Sequence, residues 1–188
     1  MLRSFVKVNH ITNLSDARYC AGMGVDVLGF QITEENFEED VKNFQSIKDW
    51  VSGVEFCAEI NFYTPKINEL GFTYIESNSK DLVFRYIKED GLKVIFQIQS
   101  DNDGEISDDI INDLPHGSEL ILHCTKDQKE KLDIASCLVQ ADGIESNEIQ
   151  DLLEGSVFGI SLTGSDEIRP GFKDYDSLAD ILELLEED

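Results

Sequence analysis

The sequence predicts an α/β chain folded as a single-domain (β/α)8 barrel of the TIM type, with short loops, spanning residues 1–188. Three observations predict it. Eight strand-like apolar runs alternate with helix-like amphipathic stretches. No linker or low-complexity tract divides them. The turn after the first run, "VNHITNLSDA", also lacks the glycine-rich loop that an open doubly wound sheet places there. A chain of 188 residues is short for eight β/α units, so the loops must be short.

"FVKV" is the first strand, and Ser15 is placed to cap a short helix that ends at Gly22 and Gly24. "VDVLGFQI" is apolar enough to be buried on both faces. Phe37, Val41, Phe44, Ile47 and Val51 then recur at helical spacing. "VEFCAEI" is the third strand, with a short helix from about Pro65 to Leu70. "FTYIES" is the fourth, with a helix through Leu82, Arg85 and Ile87, and "LKVIFQIQ" is the fifth. The stretch "SDNDGEISDDIINDLPHG" has turn chemistry. Its "DNDG" lacks the closing carboxylate of a calcium loop and reads as an acidic loop feeding a helix N-terminus. "ELILHC", "CLVQA" and "VFGISL" complete the strands. Helices follow at "KDQKEKLD", around Ile149, Leu152 and Leu153, and through Leu178, Ile181, Leu182 and Leu185.

Composition narrows the function classes. The chain carries 39 acidic against 15 basic residues, a formal net charge of -24. Such a surface repels nucleic acid and anionic membranes, so neither is expected as a partner. No signal-peptide core or membrane-length apolar run is present, so the expected location is cytoplasmic. Cys20, Cys57, Cys124 and Cys137 form no CxxC pair and sit in or beside apolar runs, as reduced core thiols do. His10, His116 and His123 form no HxH or HExxH pattern, so neither a metal nor another cofactor is expected.

The stretch "VKVNHITNLSDARYCAGMGVDVLGF" resembles the opening of the phosphoribosylanthranilate isomerases, barrel enzymes of tryptophan biosynthesis. Lys7, Ile11, Thr12, Asp16, Ala17, Gly24, Asp26, Leu28, Gly29 and Phe30 fit that pattern. "FGISLTGSDEIRPGFKD" resembles the family's last strand and loop, through Gly159, Gly164, Glu167, Pro170, Gly171, Lys173 and Asp174. "QADGIESNEI" resembles its seventh strand and phosphate loop. The resemblance covers nearly the whole chain and is most specific at its two ends.

The family's reaction is an Amadori rearrangement of an aminoaldose phosphate, and it needs a general acid and a general base. The resemblance implies the base, a cysteine, at the position of Asn9, with the glycine after it replaced by His10. It implies the acid, an aspartate, at His123, and a further aspartate at Ser161. Asparagine has no proton to exchange near neutrality, and losing one acid or base commonly costs ~10²–10⁴ in rate. His123 could still titrate in the useful range. The sequence leaves open whether His10 faces the barrel mouth, although strand alternation usually turns the residue after a last inward position outward.

The binding apparatus departs as well. The family's serine-proline-arginine loop after its second strand meets an anion of the substrate. Here "QITEENFEED" offers Glu34 and Glu35, with no cation before Lys42. The lid stretch "HCTKDQKEKLD" contains no glycine. The resemblance implies a phosphate site at Asp142, Gly143, Thr163, Gly164 and Ser165, with Asp142 standing where the family has a glycine. Cys20 belongs on an outer helix and does not replace the missing thiol.

Three readings stay open on the sequence. One is a barrel that has lost the isomerase reaction and binds a ligand or a partner. Another is an isomerase with an altered acid–base pair, such as His10 and His123. The third is a different enzyme on the same barrel mouth, using His123 with Ser161 or Glu59. The expected ligand is a small phosphorylated or carboxylated molecule at the mouth. The macromolecular partners in view are a second copy of the chain or a pathway protein.

Overall fold

The computed structural model describes residues 2–88, 91–99, 120–133, 137–155, 157–164, 167–169, 172–173 and 176–186. For 167–169, 172–173 and 176–177 it describes the backbone alone. The acidic loop after the fifth strand, His116, Ser165, Pro170, Gly171 and Asp174 lie outside the described residues, as do the side chains of Glu167 and Lys173.

Eight parallel strands close into a barrel. They are β1 (Phe5–Asn9), β2 (Val27–Gln31), β3 (Glu55–Glu59), β4 (Tyr74–Ser77), β5 (Lys93–Gln97), β6 (Leu120–Cys124), β7 (Leu138–Gln140) and β8 (Gly159–Thr163). Each pairs with the next, and β8 returns to β1 with Lys7 opposite Ser161 and Asn9 opposite Thr163. Closure leaves no strand edge unpaired. Seven helices are seen among the described residues: α1 (Leu14–Gly22), α2 (Phe37–Lys48), α3 (Ile67–Leu70), α4 (Lys80–Tyr86), α5 (Lys126–Lys131), α6 (Ser146–Glu154) and α7 (Asp176–Leu184).

Strand alternation divides the apolar residues between two cores. Outward residues such as Val8, Leu28, Phe30, Ala58 and Ile160 join helix residues such as Ala17, Phe44 and Ile149 in the larger one. Phe44 of α2 stacks on Phe72, ring centroids 4.0 Å apart, and seals α2 onto the barrel. The inward residues Val27, Cys57, Tyr74, Ile95, Ile121 and Leu138 form a second, separate cluster that fills the lower barrel. All four cysteines are buried thiols, and none is in a disulfide. No helix of the described residues is long and apolar enough to cross a membrane.

Two local expectations are corrected. Asn13, not Ser15, caps α1: its side-chain oxygen accepts from the Asp16 N–H at 3.0 Å, and Ser15 falls inside the first turn. The stretch after β8, which reads as loop, contains a short antiparallel hairpin of β9 (Glu167–Arg169) and β10 (Phe172–Lys173).

Candidate ligand-binding site at the barrel mouth

The chemistry of the barrel changes toward the carboxyl ends of its strands. Above the apolar cluster, inward positions carry Lys7, Asn9, Glu59, Glu76, His123 and Ser161. Lys7 is fully buried. Its ammonium lies 2.5 Å from Glu76 Oε2 and 3.0 Å from Glu59 Oε1, and it also donates to the side-chain oxygen of Asn9. A Cβ at residue 29 of β2 would overlap the Glu59 carboxylate and lie 3.0 Å from Lys7 Nζ. Gly29 therefore makes room for the charged layer.

Each glutamate holds a histidine on its other oxygen. Glu76 Oε1 lies 2.5 Å from His123 Nδ1, and Glu59 Oε2 lies 3.1 Å from His10 Nδ1. One lysine thus joins two Glu–His pairs. Burial pushes the Glu76 carboxyl up, but Lys7 and His123 more than reverse this and hold it down at about 2. Burial likewise opposes ionisation of Glu59, and Lys7 and His10 carry it below the usual carboxylate value. For Lys7, burial favours the neutral amine, yet the two glutamates hold it above its ordinary value. The Cys57 thiol beneath is pushed well up by burial.

These directions fix the His123 tautomer. An ionised Glu76 only accepts, so Nδ1 must carry the proton, and in the neutral ring Nε2 is left as a bare acceptor. Nε2 is buried and has no hydrogen-bond partner among the described residues.

Asn9 is held on both sides. Its oxygen takes the Lys7 proton, and its Nδ2 donates to Ser161 Oγ at 2.7 Å. His10 departs from the alternation argument. Its φ of +60° places it in the left-handed region, so its ring turns back over the mouth, where it lines the cavity and meets Glu59. For a residue with a Cβ that backbone costs about 1 kcal/mol.

Of the residues implied for phosphate, Asp142, Thr163 and Gly164 are engaged with the chain itself. Thr163 donates its backbone N–H to Asp142 Oδ1 at 2.8 Å and its hydroxyl to Asp142 Oδ2 at 2.9 Å. The Gly164 N–H donates to the Asn9 carbonyl at 2.8 Å. Gly143 sits in the turn after β7 with φ +75°. Glu34 and Glu35 are exposed and lie outside the cavity lining.

The cavity at the mouth measures about 340 Å³. Six carboxamides line it: Asn9, Gln31, Asn61, Asn78, Gln97 and Gln140, each at or just beyond the end of a different strand. Glu76, Gln31, Asn61, Asn78 and Gln97 escape a motif-based reading. The available signal was parity: a polar residue at the inward position closing an otherwise apolar strand. Among the described residues no group of three or more His, Cys, Asp or Glu is placed to hold a metal. A second cleft, about 530 Å³, opens at the other end of the barrel beside Phe5, Tyr74, Lys93 and Phe158.

A closed parallel barrel with a polar cavity at the carboxyl ends of its strands defines a (β/α)8 protein with its site in the usual place. Its fold is that of the phosphoribosylanthranilate isomerases. The chain is similar to N-(5'-phosphoribosyl)anthranilate isomerase from Pyrococcus furiosus, with TM-score 0.66 and 15% identity over 97% of this chain and 98% of that one. It is similar to the enzyme from Thermococcus kodakaraensis, with TM-score 0.64 and 13% identity over 98% and 100%. It is also similar to a phosphoribosyl anthranilate isomerase in complex with reduced 1-(o-carboxyphenylamino)-1-deoxyribulose 5-phosphate, with TM-score 0.65 and 18% identity over 97% and 98%. No protein-family model and no curated protein matches the chain.

Proposed function

We propose that residues 1–188 form one phosphoribosylanthranilate isomerase-like barrel domain that does not catalyse the isomerisation and binds a small ligand at its mouth. The observation that carries this reading is Asn9. It occupies the position the resemblance gives to the base, and its amide is bound to Lys7 and Ser161. An amide so held neither takes nor gives a proton near neutrality. The Asp142 carboxylate on Thr163 supports the same reading, because it takes donors that a phosphate would need.

The test is growth without tryptophan in a host lacking its own isomerase. The chain is expected to give no rescue, and so is the double variant Asn9→Cys/His123→Asp, because Asp142 still holds Thr163. Robust rescue by the unaltered chain would overturn the reading. Rescue by the double variant alone would show that only the acid–base pair had been lost.

A second reading, a different acid–base reaction at the same mouth, is favoured by His123. Its Nδ1 is anchored on Glu76 and its Nε2 is a free acceptor among the described residues, the arrangement of an oriented general base.

A further inference from the structure

We propose that the mouth cavity binds an uncharged, polyhydroxylated small molecule of monosaccharide size, held by the strand-end carboxamides and by His123. The proposal rests on the mouth being a ligand site, as read above, and names what that site takes.

The charges of the mouth are satisfied within the chain. Both oxygens of Glu59 and both of Glu76 face Lys7 or a histidine, so neither carboxylate is left to attract an amine. Lys7 is enclosed, and no other lysine or arginine among the described residues lines the cavity to meet an anion. The backbone and hydroxyl donors of Thr163 are taken by Asp142. An anion would give up its hydration for no opposite charge among the described residues, and an amine would find every oxygen of Glu59 and Glu76 already engaged within the chain.

The groups left over are neutral and two-sided. The side chains of Gln31, Asn61, Asn78 and Gln97 line the cavity and make no hydrogen bond to another described residue. Each offers two donor hydrogens and one acceptor oxygen. His123 Nε2 is more demanding. It sits in a residue 2% exposed and lines the cavity, and in the neutral ring it can only accept while Glu76 holds Nδ1. A carboxylate has no proton to give it at neutral pH and a phosphate is largely deprotonated; a hydroxyl always carries one, and the same hydroxyl can accept from a carboxamide. Hydroxyls spaced around a ring or short chain match a ring of carboxamides with an acceptor at its floor. A volume of about 340 Å³ is at the small end for ligand sites, which suits one sugar unit.

The test uses the full chain and five probes matched in shape and different in charge: ribose, ribose 5-phosphate, glucose, glucose 6-phosphate and glucosamine. Binding is followed by titration calorimetry or ligand-observed NMR. Saturable binding of ribose or glucose is expected, with each phosphorylated or amino counterpart at least tenfold weaker. Gln97→Leu and Asn78→Leu, both at the rim, should each weaken the neutral sugar about three- to tenfold, with unfolding midpoints checked alongside. Asp142→Gly frees the Thr163 donors and should strengthen ribose 5-phosphate relative to ribose. Stronger binding of a phosphorylated or amino probe to the unaltered chain would overturn the proposal. So would the failure of both neutral sugars to saturate, or leucine variants that bind like the unaltered chain. Turnover of phosphoribosylanthranilate, assayed separately, would overturn the reading of the mouth as non-isomerising without deciding which sugar it prefers, so the two failures are distinguishable.

Discussion

At its lower end the barrel is filled by Val27, Cys57, Tyr74, Ile95, Ile121 and Leu138, while at its upper end the equivalent inward positions carry Lys7, Glu59, Glu76, His123 and Ser161. The strands are continuous and the parity is the same, but the two ends are built on opposite terms. The lower ion pair Lys93–Glu55 is 3.6 Å long and about half exposed on both sides, so it contributes at most about 1 kcal/mol. The upper cluster has given up its hydration. Apolar side chains of similar volume there would leave a barrel as stable or more so. Folding explains the lower end; it does not explain the charged upper end, which the proposed ligand site would.

The most severe way to break the contrast is Lys7→Met. It strands two buried carboxylates and is expected to cost about 3–5 kcal/mol in urea unfolding. Adding Glu76→Met should recover much of that loss. Recovery would show that imbalance, not the missing lysine stem, does the damage.

Acid should separate the two ends next. Glu76 titrates at about 2 in the folded protein against an ordinary 4.5. Its contribution is therefore complete above about pH 5 and is lost as the pH falls toward 2. The unaltered chain should exceed Glu76→Gln by on the order of 2–3 kcal/mol at pH 7, and the two should converge by about pH 2. Relief of the acidic surface affects both chains alike and cancels in the difference. Ile95→Ala, a cavity in the lower layer, should show no such convergence.

Gly29→Ala probes the space beside the charged layer. The added methyl meets Glu59 and Lys7, and about 1–3 kcal/mol should be lost in denaturant melts. The smallest effect is expected at His10→Gly. Relief of the left-handed backbone, about 1 kcal/mol, is set against loss of a half-exposed contact to Glu59 of similar size. The melting temperature should move by no more than a few degrees.

The architecture was legible because its signal is periodic. All eight strands fall on the apolar runs that suggest them and the helices among the described residues on the stretches read as helical, with ends shifted by a few residues. The cap at Asn13 was hidden by a second capping-type residue two positions on. The hairpin of β9 and β10 was hidden by its turn-rich composition. At the site, Asn9, His123 and Ser161 stand out through departure from a resembling pattern. Glu76 does not, since one glutamate near a strand end reads as surface. Its importance comes from Lys7 and His123, which lie 69 and 47 positions away in the chain. The four carboxamides without a partner among the described residues are dispersed in the same way, and only barrel closure gathers them. The direction of His10 stayed open for a backbone reason, because alternation assumes extended φ and this residue leaves it.

Asp142 on Thr163 has a consequence for competition. A carboxylate tethered two residues beyond the end of β7 meets the donors of β8 at an effective concentration set by its short tether, in the millimolar range or above. An anion from solution must outcompete that built-in occupant before it gains anything. For inorganic phosphate, a general competitor for such donors, the rival at Thr163 is a side chain that never diffuses away.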